Sequence, residues 1–151
     1  MNGLTAMREQ VKAIETDKII NGYCVLRCMF AKVITLIEKS AAYESGYHGV
    51  QLTDKNAVSF SLLFFDRICV VARFTGMLSE DKKPFGQIAF EQAGKTCRTY
   101  YFNEQGQVFD EFGVLAAGSI SSVAQVDDIL NAVTHKLIDD GTAFETFEFF
   151  K

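Results

Sequence analysis

An α+β fold, with one antiparallel meander sheet of five or six strands, two N-terminal helices and one C-terminal helix packed on it, follows from three features of the chain. The first is Ala57 to Thr75, AVSFSLLFFDRICVVARFT, a run too continuous in Phe, Leu, Val and Ile for a strand wet on one side. The second is a pair of hairpin signals downstream, at Gly94-Lys95 and at Asn103-Glu104-Gln105-Gly106. The third is a three-four apolar spacing at both ends of the chain. All 151 residues fit one domain, and a chain of this size can bury roughly 68 to 70% of its unfolded surface without staples.

At the N-terminus, Leu4, Met7, Val11 and Ile14 form one stripe of a helix ending near Asn21-Gly22. A second helix runs from Tyr23 to about Tyr43, unless the two form one bent helix. Its polar strip is limited to Arg27, Lys32, Thr35, Glu38 and Lys39, so it needs two surfaces to pack on. The sheet supplies one; the first helix or a second protomer supplies the other. Gly46-Tyr47-His48-Gly49 links to a short strand around Val50 to Thr53.

Asp66-Arg67 divides the central run. In a membrane helix these charges would sit near the bilayer centre at roughly 2.5 to 3.5 kcal/mol each; in a hairpin they occupy the bend. The run therefore reads as two strands, about Ala57 to Phe65 and Ile68 to Thr75, buried on both faces. The same insertion cost applies to Arg27 and Lys32 within Ile19 to Ile37, so no membrane span is expected. Gly76 to Pro84 reads as a charged, mobile loop.

Phe85 to Ala93 and Thr96 to Asn103 flank Gly94-Lys95, which suits a type II′ turn; Asn103 to Gly106 suits a type I turn closed by a left-handed Gly. These turns place Glu91 opposite Arg98, Ala89 opposite Tyr100 and Ile88 opposite Tyr101. They also place Phe102 opposite Val108, Tyr101 opposite Phe109 and Tyr100 opposite Asp110. Alternation then gives one face Ile88, Phe90, Thr99, Tyr101 and Phe109, taken as the core. The outer face carries Glu91, Arg98, Tyr100, Asp110, Phe102 and Val108. Ser122 with Gln125 reads as a capping box for a helix to Asp140, stopped by Gly141. A last short strand is expected from about Phe144 to Phe149.

Charge and composition narrow the function. Met1 to Ser45 holds six basic and five acidic residues, Gly46 to Asn103 seven and five, and Glu104 to Lys151 two and nine. No segment is a basic patch, so no nucleic-acid partner is expected; the acidic last third would suit a basic protein. Cys24, Cys28, Cys69 and Cys97 match no zinc spacing and read as reduced core thiols. The N-terminal residues show no signal-peptide pattern, which points to the cytoplasm.

Groups that could do chemistry are scattered. Asp110 and Glu111 in a strand would point to opposite faces, and Asp139-Asp140 oppose the dipole of the helix they end. Asp128, Asn131, His135 and Asp139 share one stripe of the last helix, and His48 lies in a linker. Gly113 to Ile120 has phosphate-loop glycines, but Ser119 stands where the lysine would be. No catalytic residue, metal site or cofactor is therefore assigned. The outer-face group Arg98, Tyr100, Phe102, Glu91 and Asp110 is the candidate for binding a ligand or partner, because it combines aromatic area with orienting charge. The chain reads as a small, non-enzymatic interaction module, homodimeric through its over-apolar second helix and phenylalanine-rich C-terminus. The alternatives are a protein binding a small apolar or aromatic molecule in a pocket between sheet and helices, with simple catalysis there, and an acidic chaperone or immunity-type partner of a basic protein.

Overall fold

The computed structural model describes residues 3–40 and 50–144, with side chains described from Ala6. The linker around His48 and the expected last strand beyond Phe144 lie outside the described residues. The N-terminal apolar pattern forms one continuous helix, α1 (Gly3–Lys39), of 37 residues. Asn21-Gly22 does not end it. A lone glycine costs a helix roughly 1 kcal/mol relative to alanine, too little to stop one anchored by packing further along.

Seven strands follow: β1 (Val50–Lys55), β2 (Ser59–Phe64), β3 (Ile68–Leu78), β4 (Pro84–Gln92), β5 (Lys95–Asn103), β6 (Gln107–Phe109) and β7 (Leu115–Ser119). They pair antiparallel in chain order, so the sheet is a meander. The extra strand is β7, whose small residues Leu-Ala-Ala-Gly-Ser give little strand signal. The second helix, α2 (Val123–Asp139), begins at Ser122, whose hydroxyl accepts from the Gln125 N–H at 3.2 Å. Only half of the capping box forms, because the Gln125 side chain accepts from the Gly118 N–H at 3.1 Å and so ties α2 to β7. Gly141, at φ +71°, follows the helix as its left-handed stop.

Both described helices lie on one face of the sheet. Phe30 of α1 stacks on Phe60 and Phe74 at 5.4 Å each. The aromatic cluster continues from Phe74 to Phe102 and from Phe60 through Phe90 to Tyr100. Val126, Leu130 and Val133 of α2 complete the same core. The central strands therefore alternate between buried and half-exposed positions rather than being covered on both sides. Leu63 and Val71 are only half-buried, while Cys69 and Arg73 are exposed on the open face. The run looked two-sided because its outward positions also hold apolar residues, Leu63, Phe65, Cys69 and Val71.

The β2–β3 bend carries Phe65 and Asp66 at φ +54° and +56°, with the Arg67 N–H donating to the Phe64 carbonyl at 3.1 Å. The bend takes in Phe65 as well as Asp66-Arg67, so it begins one residue earlier than the sequence suggests. A similar shift at the β4–β5 turn has larger consequences. There Ala93 and Gly94 both have positive φ, so the loop is type I′ on Ala93-Gly94, and a bulge follows at Phe90/Glu91. Ile88 consequently pairs with Tyr100, Ala89 with Thr99 and Phe90 with Arg98. A one-residue slip exchanges the faces of a strand, so Tyr100 and Phe102 point into the core while Thr99, Tyr101 and Phe109 line the open face. The next turn forms as its sequence suggests. The Gly106 N–H donates to the Asn103 carbonyl at 2.9 Å, Gly106 sits at φ +80°, and Tyr101–Phe109 and Phe102–Val108 are paired.

Candidate interaction surfaces

The five outer-face residues do not make one surface. Phe102 is 1% exposed and Tyr100 8%, both within the aromatic core. Arg98 stays beside Tyr100, where burial pushes the phenol up and the guanidinium only partly offsets it. Arg98 Nη1 donates to Glu111 Oε1 at 3.0 Å rather than to Glu91, which instead pairs with Arg73 at 3.3 Å across β3 and β4. Asp110 follows β6 and organises a turn, accepting from the N–H groups of Phe112 and Val114 at 2.8 and 2.9 Å. Both carboxylates of the Asp110-Glu111 pair are thus occupied, though in a turn rather than a strand. Among the described residues, the buried Arg98 Nε and Asn131 Oδ1 atoms have no hydrogen-bond partner.

Other candidates also resolve into structural roles. Asp140 pairs with Lys136 one turn back at 3.4 Å, which compensates the acid at the end of α2. His135 and Asp128 are exposed on α2. Among the described residues no three His, Cys, Asp or Glu side chains gather as a metal-binding group. The cysteines are free thiols but not core ones: Cys24, Cys28 and Cys69 are exposed, and Cys97 is half-buried with its thiol pushed up by burial and by the Asp140 carboxylate. Cys24 and Cys28 face outward because the inward stripe of α1 is taken by Leu26, Phe30, Val33 and Ile37.

Three surfaces among the described residues present apolar area instead. One is the first half of α1. Gly22 is the first buried residue of the helix, and a side chain there would meet Pro84 Cγ at 2.7 Å and the end of Glu104. Before it, Glu15, Lys18, Ile19 and Ile20 border the β3–β4 end of the sheet, and closer to its start the helix leaves Met7 64%, Val11 54% and Ile14 56% exposed. The sequence holds the signal for this stripe; what it could not show is that none of the described residues covers it.

The second surface is a groove where α1 leaves the body. About 260 Å³ in volume and almost wholly apolar, it is lined by Ile19, Ile20, Tyr23 and Leu26 from the helix and by Gly76, Met77, Leu78 and Pro84 from β3 and β4. Sequence reasoning missed it, because Gly76 to Pro84 reads as a loop whereas β3 extends to Leu78 and carries Met77 alongside the helix. The third is the β6–β7 tip, where Phe112 is 82% exposed beside exposed Val114 and Leu115.

By length and composition alone, α1 from Ala6 to Lys39 is also apolar enough to cross a membrane. In the fold, the inward stripe of its second half lies on the sheet. Compared with protein-family models, with curated proteins and with solved structures, the chain matches none.

Proposed function

We propose that the chain is a small cytoplasmic interaction module, non-enzymatic and homodimeric, whose binding element is the protruding half of α1. The supporting observation is the row of exposed apolar residues Met7, Val11 and Ile14 on the first half of α1, which none of the described residues covers. Most helical stability in proteins comes from packing an apolar face, so burying this stripe against a partner would stabilise both stripe and helix. The charges Arg8, Glu9, Lys12, Glu15, Asp17 and Lys18 around the stripe suit a protein partner in water rather than a bilayer. Sedimentation velocity from low to high micromolar concentration tests this reading. A species of twice the chain mass supports it, and a compact monomer throughout removes it.

A second reading has its own support, in the apolar groove at the elbow. A cavity of about 260 Å³ between helix and sheet, with Tyr23 at its wall, would accept a small apolar or aromatic molecule. A thermal-shift screen addresses it: stabilisation by one ligand class, lost in Tyr23→Ala, favours a small-molecule binder. The acidic last third keeps a basic protein as a lesser proposal, tested by salt-sensitive capture.

A further inference from the structure

Resting on the reading of the chain as a self-associating module, we infer that two copies pair through the protruding halves of α1, antiparallel, with Val11 packed against the partner's Ile14. The stripe Met7, Val11, Ile14 continues through Lys18, Asn21 and the exposed Val25, a repeat of alternating three and four residues. That spacing is the seam of a two-helix coiled coil, with Val11 and Lys18 at one kind of seam position and Met7 and Ile14 at the other. The seam lies about a quarter turn from the side of α1 that holds Ile19, Gly22 and Leu26 against the body. The β3–β4 loop reaches the edge of the seam, where Asp81 and Lys82 share a groove with Ile19, the seam residue Lys18 and the flanking Glu15, and leaves Met7, Val11 and Ile14 outside that groove.

Charges beside the seam select orientation and register. Arg8 and Glu15 flank it on one side, Gln10 and Asp17 on the other. In an antiparallel pair each flank lies beside the same flank of its partner. With Val11 opposite the partner's Ile14, Arg8 lies beside the partner's Glu15, and by two-fold symmetry this attraction occurs twice. Gln10 then lies beside the partner's Asp17. Sliding one step so that Met7 meets the partner's Val11 brings Arg8 beside the partner's Arg8. Sliding the other way, with Ile14 against the partner's Lys18, opposes Glu15 to the partner's Glu15 and Asp17 to the partner's Asp17. A parallel, in-register pair buries Lys18 against the partner's Lys18 and gains no pair of opposite charge. Only the first arrangement has attraction without like-charge contact.

The same register fits the length of the arm. It sets Gly3 opposite the partner's Gly22, so the overlap spans about 30 Å of helix. It ends at Gly22, where α1 passes closest to Pro84 and Glu104. Lys18 opposite the partner's Met7 can cover the thioether with its aliphatic stem while the ammonium stays in water.

The test is charge reversal followed by mixing, read by sedimentation velocity on the full chain, with far-UV circular dichroism to establish that each variant is folded. Arg8→Glu alone sets glutamate against glutamate twice, and Glu15→Arg alone sets arginine against arginine twice. Each should weaken self-association about tenfold or more. Mixed in equal amounts, the two variants should form a heterodimer with affinity within about threefold of the wild type, because each partner then supplies the charge the other lacks. Dimers unaffected by either reversal, or variants that stay apart when mixed, would overturn this surface and register while leaving self-association standing. A wild-type chain that remains monomeric would overturn both.

Discussion

The two halves of α1 have similar apolar spacing and different surroundings. From Leu26 to Ile37 the stripe is buried, with Phe30 held between Phe60 and Phe74 at 5.4 Å from each ring. From Met7 to Ile14 the stripe faces water. The difference arises at Gly22, where the helix passes Pro84 and Glu104 closely enough that only a hydrogen fits. Periodicity says which side of a helix is apolar; whether that side stabilises its own fold or is free for another molecule depends on where the sheet stops.

Mutations on the two sides of Gly22 should therefore separate. The largest effect expected is from Phe30→Ala, which removes a fully buried ring from the centre of the aromatic cluster. A loss of roughly 3 to 5 kcal/mol in unfolding free energy, measured by urea denaturation of the monomer, is the expected outcome. Gly22→Ala should come next. Its methyl would crowd the Pro84 ring, at 2.7 Å to Cγ, and overpacking of this kind costs about 1 to 3 kcal/mol. The gain in helix propensity of roughly 1 kcal/mol offsets only part of that. A stabilised Gly22→Ala protein would mean that helix and sheet separate easily at the elbow.

Tyr100 sharpens the comparison from the body side. Burial raises its phenol above the ordinary value of 10.0, so the folded state holds this proton more tightly than the unfolded chain does. The stabilisation of the protonated form is present below about pH 10 and is lost as pH rises through the higher folded-state value. Thermal stability of the wild type should fall above about pH 10 more steeply than that of Tyr100→Phe. Equal slopes would place the hydroxyl in contact with solvent. The smallest effect is expected from Val11→Ala, with monomer stability unchanged within about 0.5 kcal/mol, as for an exposed site.

Much of the topology was legible in the sequence. The meander order, the Asn103 to Gly106 turn, the Ser122 cap and the Gly141 stop each rest on local chemistry that the tertiary structure left intact. The face of β5 was not legible, because the type I′ turn on Ala93-Gly94, with an alanine at φ +50°, moves the pairing by two residues and the bulge at Phe90/Glu91 takes one of them back, which exchanges the faces. That slip of one residue moved Tyr100 and Phe102 from a supposed surface into the core and dissolved the group built on them. The break expected at Asn21-Gly22 failed for a different reason: glycine there serves close approach to Pro84 rather than helix termination. The apolar stripe of the arm was legible from the start, whereas its exposure depends on how far the sheet reaches and needed the fold.

Amide hydrogen exchange along α1, measured at protein concentrations below and above self-association, tests the division at Gly22 most directly. The account predicts that amides from Leu26 to Ile37 are protected at both concentrations, while those from Met7 to Lys18 exchange quickly when dilute and slow markedly when concentrated. Equal, strong protection of both halves in the dilute sample would contradict it, as would an arm that exchanges quickly at every concentration.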